Sequence, residues 1–426
     1  MKTFLAVCLL ALLSACSDAV SPPPPPTTTP PPPEVQTVSV AFCDPYVPLW
    51  LAFQDGDGAW TRAAPTVASG SSVFHLTFAA NRGAVATVLV GAPGTTFLQV
   101  LYGTPQELAS IGINTPRFCG QTAVRTLLGT VAGVDINERA IVRGGFGAVT
   151  VAHHGEDFAL DLLPAGPRDI IAARATLGAA GDERLTKFIL RHGVDLPDGA
   201  SLGVLDFDAP EAFAPVVANV TLAGAGVDGA FIFAQLRSAT SENQFSLPFP
   251  GASGLNQSYY ALPEAQLAAG DLQELVATAH DDTPNAGRSL LWYFRSPVDR
   301  TLEFGPDIIA PSFTTVATTP SLRIRAQFVP QDAYDREASI VYLTDGPSNV
   351  GVLMTAAYAA LQGGYDLVNP ELSGVAGFNP AWALPPQPSV RWSANRMGGT
   401  LGLGIDPVPT DGAIRRAAFA TDVITP

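Results

Sequence analysis

The chain has 426 residues and a formal net charge of −15, a field that repels nucleic acid and anionic membrane faces and argues against either as a binding partner. Only 14% of the residues are charged while 47% are hydrophobic, well under the ~25% charge of an average soluble domain. Thr, Ser, Gln, Asn and Gly must then supply much of the surface, as is common in exported β-proteins.

Residues 1–15 read as a signal peptide. Met1-Lys2 gives a small positive start, and Phe4 to Leu13 forms an apolar core far shorter than the ~20 residues that span a bilayer. No later stretch reaches that length without interruption. Leu13-Ser14-Ala15-Cys16 follows, and these four residues resemble the lipobox of bacterial lipoproteins, where small residues precede an invariant cysteine. The resemblance implies cleavage before Cys16, a diacylglycerol on its thiol and acylation of the new amino group. Two or more acyl chains, each contributing ~0.8 kcal/mol per buried CH2, would make a stable anchor. Ser17, where an Asp would retain the protein in the inner membrane of enteric bacteria, implies the outer membrane. The expected location is therefore the bacterial cell envelope, on a lipid anchor.

Residues 16–34 form a linker with nine prolines, Pro22 to Pro26 and Pro30 to Pro33, around Thr27-Thr28-Thr29. Proline fixes φ and donates no hydrogen bond, so a polyproline II spacer of ~3.1 Å per residue, roughly 50 Å in all, is expected. Cys8 leaves with the signal peptide and Cys16 carries lipid, so Cys43 and Cys119 remain. In an oxidising envelope such a pair is expected to form a disulfide, closing a 77-residue loop worth ~4–5 kcal/mol by chain entropy.

Beyond the linker, short runs of β-branched and aromatic residues broken by Gly, Pro, Asn and Asp predict an all-β chain of tandem β-sandwich modules. The first, 35–121, contains Val38 to Phe42, the pair of strands in "LWLAFQDGDGAWTRA", then "ATVLVG" and "TFLQVLYG". Asp55-Gly56-Asp57-Gly58 predicts a hairpin turn, because Asp-Gly supplies the positive φ it needs. The second module, 122–215, carries Phe158-x-Leu160-x-Leu162-Leu163-Pro164-x-Gly166 followed by Ile170 and Ala172. This run resembles the carboxypeptidase regulatory-like domain, a small transthyretin-like sandwich in which a Phe-containing strand turns at Pro-x-Gly and returns. The family's usual Thr-Asp before the Gly is missing here, and the resemblance implies a structural or accessory module with no catalytic residues. Two further modules, 216–310 and 311–426, are suggested by a duplication: "AFIFAQLRSATSENQFSLPF" leading to "YYALPEAQL" parallels "SIVYLTDGPSNVGVLMTAAY" leading to "YDLVNPEL". In "PEAQLAAGDLQELVATA", Gly270-Asp271 interrupts a helical pattern, and a strand is expected from Leu272.

Candidate chemistry is sparse. An EF-hand loop from Asp55 would need an oxygen ligand, Gly and Glu where Ala59, Trp60 and Thr66 stand. His153-His154-Gly155-Glu156-Asp157 offers four ligand types in five residues, but adjacent strand residues face opposite ways, so a turn is expected. Asp206 and Asp208 share a face of a predicted strand. They could act as an acid–base pair only across a substrate cleft, and a solvated strand edge is the simpler reading. His-Glu-x-x-His, Gly-x-Ser-x-Gly and Ser-x-x-Lys motifs do not occur. No metal ligand set, cofactor or catalytic residue is therefore assigned. Aromatic residues are the remaining candidates for binding. Trp292 and Tyr293, on opposite faces of the strand in "LLWYFR", and Trp60 at the hairpin could form a platform for a glycan or protein ligand, the competing expectation being core packing. These observations predict a lipid-anchored envelope protein with a non-catalytic binding, adhesion or scaffold role. The alternative is a tethered carbohydrate-active enzyme using dispersed carboxylates.

Overall fold

The fold comes from a computed structural model that describes residues 35–426, except 44–46, 69–70, 92–93, 110–123, 145–148, 154, 178–182, 241–243, 247–253, 281–284, 345, 347 and 402–407. The expected signal peptide, Cys16 and the expected proline-rich spacer lie outside the described residues, as does Cys119 of the expected disulfide. The chain is mostly β, as expected.

Among the described residues, twenty-eight strands fall into four segments. The first holds β1 (Gln36–Cys43), β2 (Trp50–Asp55), β3 (Trp60–Arg62), β4 (Pro65–Ala68), β5 (Ser71–Phe78), β6 (Gly83–Val90) and β7 (Thr96–Gly103). The second holds β8 (Val124–Ala132), β9 (Glu138–Arg143), β10 (Val149–Ala152), β11 (Asp157–Pro164), β12 (Arg168–Leu177), β13 (Glu183–Val194) and β14 (Ser201–Asp206). The third holds β15 (Val216–Ala223), β16 (Gly229–Arg237), β17 (Gln244–Ser246), β18 (Asn256–Ala261), β19 (Leu272–His280), β20 (Ala286–Phe294) and β21 (Arg300–Glu303). The last holds β22 (Ser312–Ala317), β23 (Arg323–Gln327), β24 (Glu337–Leu343), β25 (Ser348–Thr355), β26 (Asp366–Val368), β27 (Val390–Gly399) and β28 (Ile414–Ile424).

The four-stranded sheet keeps one strand order in all four, whereas the smaller sheet facing it is alike only in the second and third. In the second segment β8 pairs antiparallel with β11 and parallel with β14, opposite the sheet β10-β9-β12-β13. The third repeats this, with β15 between β18 and β21 and the sheet β17-β16-β19-β20. The first has β1 against β5 and the order β3-β2-β6-β7, and the last has β23 against β26 and the order β25-β24-β27-β28. The duplicated sequence segments thus occupy matching strands, β16 to β18 and β24 to β26. Alternation builds each layer. In β15 every second residue is buried (Ala218, Val220, Leu222), the period of a half-buried strand.

The expected boundaries at 121 and 310 do not separate closed sheets. β20 of the third segment pairs antiparallel with β28 of the last, and β25 of the last pairs parallel with β7 of the first. Three four-stranded sheets thereby fuse into one sheet of twelve. The sequence signal for this fusion is in "GAVATVLV". β6 is buried on both faces for six residues, the near-continuous apolar run of a doubly covered strand rather than an alternating one. One face of the first segment's sheet (Leu51, Val85, Leu101) meets Val40, Phe42, Phe74 and Leu76. The other (Trp50, Ala52, Ala86, Val88, Leu98) joins the core of the last segment with Tyr342, Val352 and Trp392.

The second segment keeps its own four-stranded sheet. Its inner face carries Val142, Ile170, Ala172 and Ile189. Its outer face, with Ile171, Ala173, Ala175, Leu185 and Phe188, packs into the core of the third segment. In β11, Phe158, Leu160 and Leu163 are buried, but Leu162 is exposed with φ 60° at a register shift between Leu160 and Leu163. A bulge there swaps the facing of one residue. The turn through Pro164 and Gly166 (φ 89°) carries the chain from β11 to β12 in the opposite sheet, so the strand crosses the sandwich instead of returning beside itself.

Candidate functional site

Where the second and third segments meet, two carboxylates with no exposed surface face one histidine. Asp169 is the second residue of β12 and Asp271 immediately precedes β19, the strand that holds the same place in the third segment. His192 lies near the end of β13, whose register against β12 shifts between the Arg168 and Ile170 pairs. Gly193 there has φ 60°, a conformation cheap only for glycine, and its N–H turns inward to donate to Asp169 Oδ1 at 2.8 Å.

Each acid is held by neutral donors. Asp169 Oδ2 also accepts from Ser238 Oγ, just past β16. Asp271 accepts from the N–H of Ala239 at 2.8 Å and of Ala268 at 2.9 Å. His192 Nδ1 stands 3.2 Å from Asp169 Oδ2 and 3.9 Å from Asp271 Oδ2. Its Nε2 is 3.0 Å from the Gln266 carbonyl oxygen. A carbonyl only accepts, so Nε2 carries a hydrogen and Nδ1 is the atom turned to the two acids. Burial by itself lowers the His192 pKa, but the hydrogen bonds to Gln266 and Asp169 and the charges of Asp169 and Asp271 outweigh it, leaving it raised. Arg295 is turned to the carbonyl oxygens of Ala268 and Asp271, 3.1 and 2.8 Å away, and its Nε lies 3.7 Å from Glu264. The three ligand atoms, one from each of Asp169, His192 and Asp271, lie within 4.8 Å of one another, a spacing a single cation can bridge.

The sequence-predicted residues are placed elsewhere. Trp292 and Tyr293 are 1% and 4% exposed, so the expectation of an open aromatic platform on β20 is corrected: both faces of the strand are covered. Trp292 stacks on Phe294 at 4.2 Å, and the Arg300 guanidinium lies 4.9 Å over its ring. Tyr293 is covered by Leu272, Leu401 and Ala413 on the other face. Trp60, on edge strand β3, is half-buried against the core of the last segment. Asp55 to Gly58 form the expected turn, with Gly56 at φ 55° and the Asp55 carboxylate accepting from the N–H groups of Ala79 and Ala80. His153, Gly155 and Glu156 lie between β10 and β11, where Glu156 accepts from the His153 N–H; Asp157 opens β11, and His154 lies outside the described residues. β14 ends at Asp206, so Asp208 does not share its strand face. Asp208 donates its N–H to Asp206 and pairs with Lys187 at 3.4 Å and Arg174 at 3.7 Å, which makes it a charge-matched turn. Cys43 ends β1.

The Asp–His–Asp cluster escaped the sequence reading because its members stand 23 and 79 residues apart along the chain. The signal that could have found it is the similar position of Asp169 and Asp271 at the start of equivalent strands. No protein-family model matches this chain, and no curated protein matches it in sequence.

Proposed function

We propose that this is a lipid-anchored protein of the bacterial cell envelope, a non-catalytic binding, adhesion or scaffold component held off the outer membrane by its proline-rich spacer. The lipobox-like Leu13 to Cys16 supports the anchor, and the nine prolines that follow support the spacer. The observation that carries the role is the recurrence of one four-strand sheet order in four segments. It fits tandem sandwich modules, with the resemblance to carboxypeptidase regulatory-like domains in the second, three of them joined into one body by a shared sheet. Such a body suits display of a surface at a distance from the membrane. Nucleic acid does not suit its charge, whereas a glycan or protein ligand does, and Trp60 on the sheet edge is the candidate aromatic contact.

Two measurements test this. Protease shaving of intact cells bearing a tag after Pro426 removes the tag if the body faces outward, and leaves it until the outer membrane is permeabilised if the body faces the periplasm. Tag in the cytosolic fraction would overturn the envelope assignment. A pooled-glycan screen beside a reducing-sugar release assay separates the roles: binding without release is expected, and release abolished by a single carboxylate substitution would make the protein a tethered carbohydrate-active enzyme.

A further inference from the structure

We propose that Asp169, His192 and Asp271 bind one divalent transition-metal cation at the junction of the second and third segments. The Gln266 carbonyl fixes the tautomer of a neutral His192. Because Nε2 must donate to it, a neutral His192 aims the Nδ1 lone pair at two carboxylate oxygens. Three electron-rich atoms then converge with no hydrogen between them, which is repulsive unless a cation fills the space. A proton on Nδ1 is one such cation, bringing one positive charge toward two buried carboxylates. A divalent cation on a neutral imidazole balances both.

Two of the three edges fit. Ligands ~2.0–2.1 Å from zinc in a tetrahedral site stand ~3.4 Å apart, and the Nδ1–Oδ2 separations of 3.2 and 3.9 Å bracket that edge; the two carboxylate oxygens lie within 4.8 Å of each other. The supports around the three atoms are those a metal site uses. The second ring nitrogen donates to a backbone carbonyl, and the ligating carboxylates take hydrogen bonds from Ser238, Ala239, Ala268 and Gly193, fixing ring orientation and carboxylate rotamer. Both acids are fully buried, whereas the His192 side chain is 34% exposed, so the histidine is the ligand nearest to solvent. One imidazole and two carboxylates suit zinc or manganese above a soft thiophilic ion. This inference stands independently of the envelope role.

The test uses the full chain stripped of metal. Calorimetric titration with Zn2+ is expected to show one site per chain, and Co2+ to give a visible absorption band. His192→Gln, a partly exposed change that keeps the fold, is expected to weaken zinc binding about 100-fold or more and to remove the cobalt band; Asp271→Asn is expected to do the same. His153→Gln, at an exposed turn histidine, should change neither. The proposal is overturned if the wild type shows no zinc site, or if His192→Gln, folded by circular dichroism, keeps the stoichiometry and affinity of the wild type.

Discussion

The third segment meets its two neighbours in opposite ways. Against the last segment it pairs backbone to backbone: β20 and β28 align over seven residues, from Ala286 opposite Ala420 to Trp292 opposite Ile414. Against the second it packs side chains, with Ile171, Ala173 and Phe188 on its core and the Asp169–His192–Asp271 cluster at the margin. A ladder uses amide groups that every residue carries, so it constrains sequence only through what lies on its faces. A face-to-face junction must match shape and charge residue by residue. The Asp169–His192–Asp271 cluster belongs to the second kind of junction, where removing one partner strands the other.

This contrast yields four expectations, tested by chemical denaturation of the metal-free full chain. The largest concerns the ladder's inner face: Trp292→Ala should destabilise by about 4 kcal/mol, because truncating a buried Trp leaves a cavity beneath Tyr259 and Phe294. A loss under about 1 kcal/mol would mean the ladder holds the junction without its core. Next, Asp169→Ala should cost about 3 kcal/mol by leaving its donors and His192 uncompensated at the packed junction. If Asp169→Ala proved neutral, the cluster would be dispensable to the fold. Third, Glu337 on β24 lies within the fused sheet, and burial raises its pKa to about 7 from 4.5, with Arg415 pulling the other way. The folded state then holds a proton that the unfolded chain has lost. Stability is full below about pH 4.5, falls by on the order of 2–3 kcal/mol as pH rises to 7, and is level above that. Glu337→Gln should abolish that fall, and an unchanged pH profile would refute the assignment. The smallest effect is expected at Asp208, 70% exposed beside Lys187 and Arg174: Asp208→Asn should shift stability by less than about 0.5 kcal/mol.

Local features of this fold were legible because local chemistry decides them. The Asp55 to Gly58 turn, the strand from Leu272 and the matching strands of the third and last segments follow from turn residues and period-two alternation. The joining of sheets was not legible, since strand edges offer the same amide groups whatever their neighbours. Only the doubly buried run of β6 hinted that a second layer would cover it. Trp292 illustrates the ambiguity of an aromatic on an alternating strand: its spacing put it on the face opposite Tyr293, but could not say that both faces are covered. The Asp169–His192–Asp271 cluster depends on a contact between segments, which no window along the chain contains.

The parallel ladder between β7 and β25 joins residues about 250 positions apart, as in Leu98 opposite Val350. Each segment's own hairpins close loops of a few residues and can form within microseconds. The β7–β25 ladder must wait until some 245 intervening residues have been drawn in, and contacts of such sequence separation slow folding. Refolding of this chain should therefore be kinetically staged, with segment cores appearing early. The seam between the first segment and the last would set the slow step, leaving the β7 and β25 edges open to off-pathway pairing with other chains until it closes.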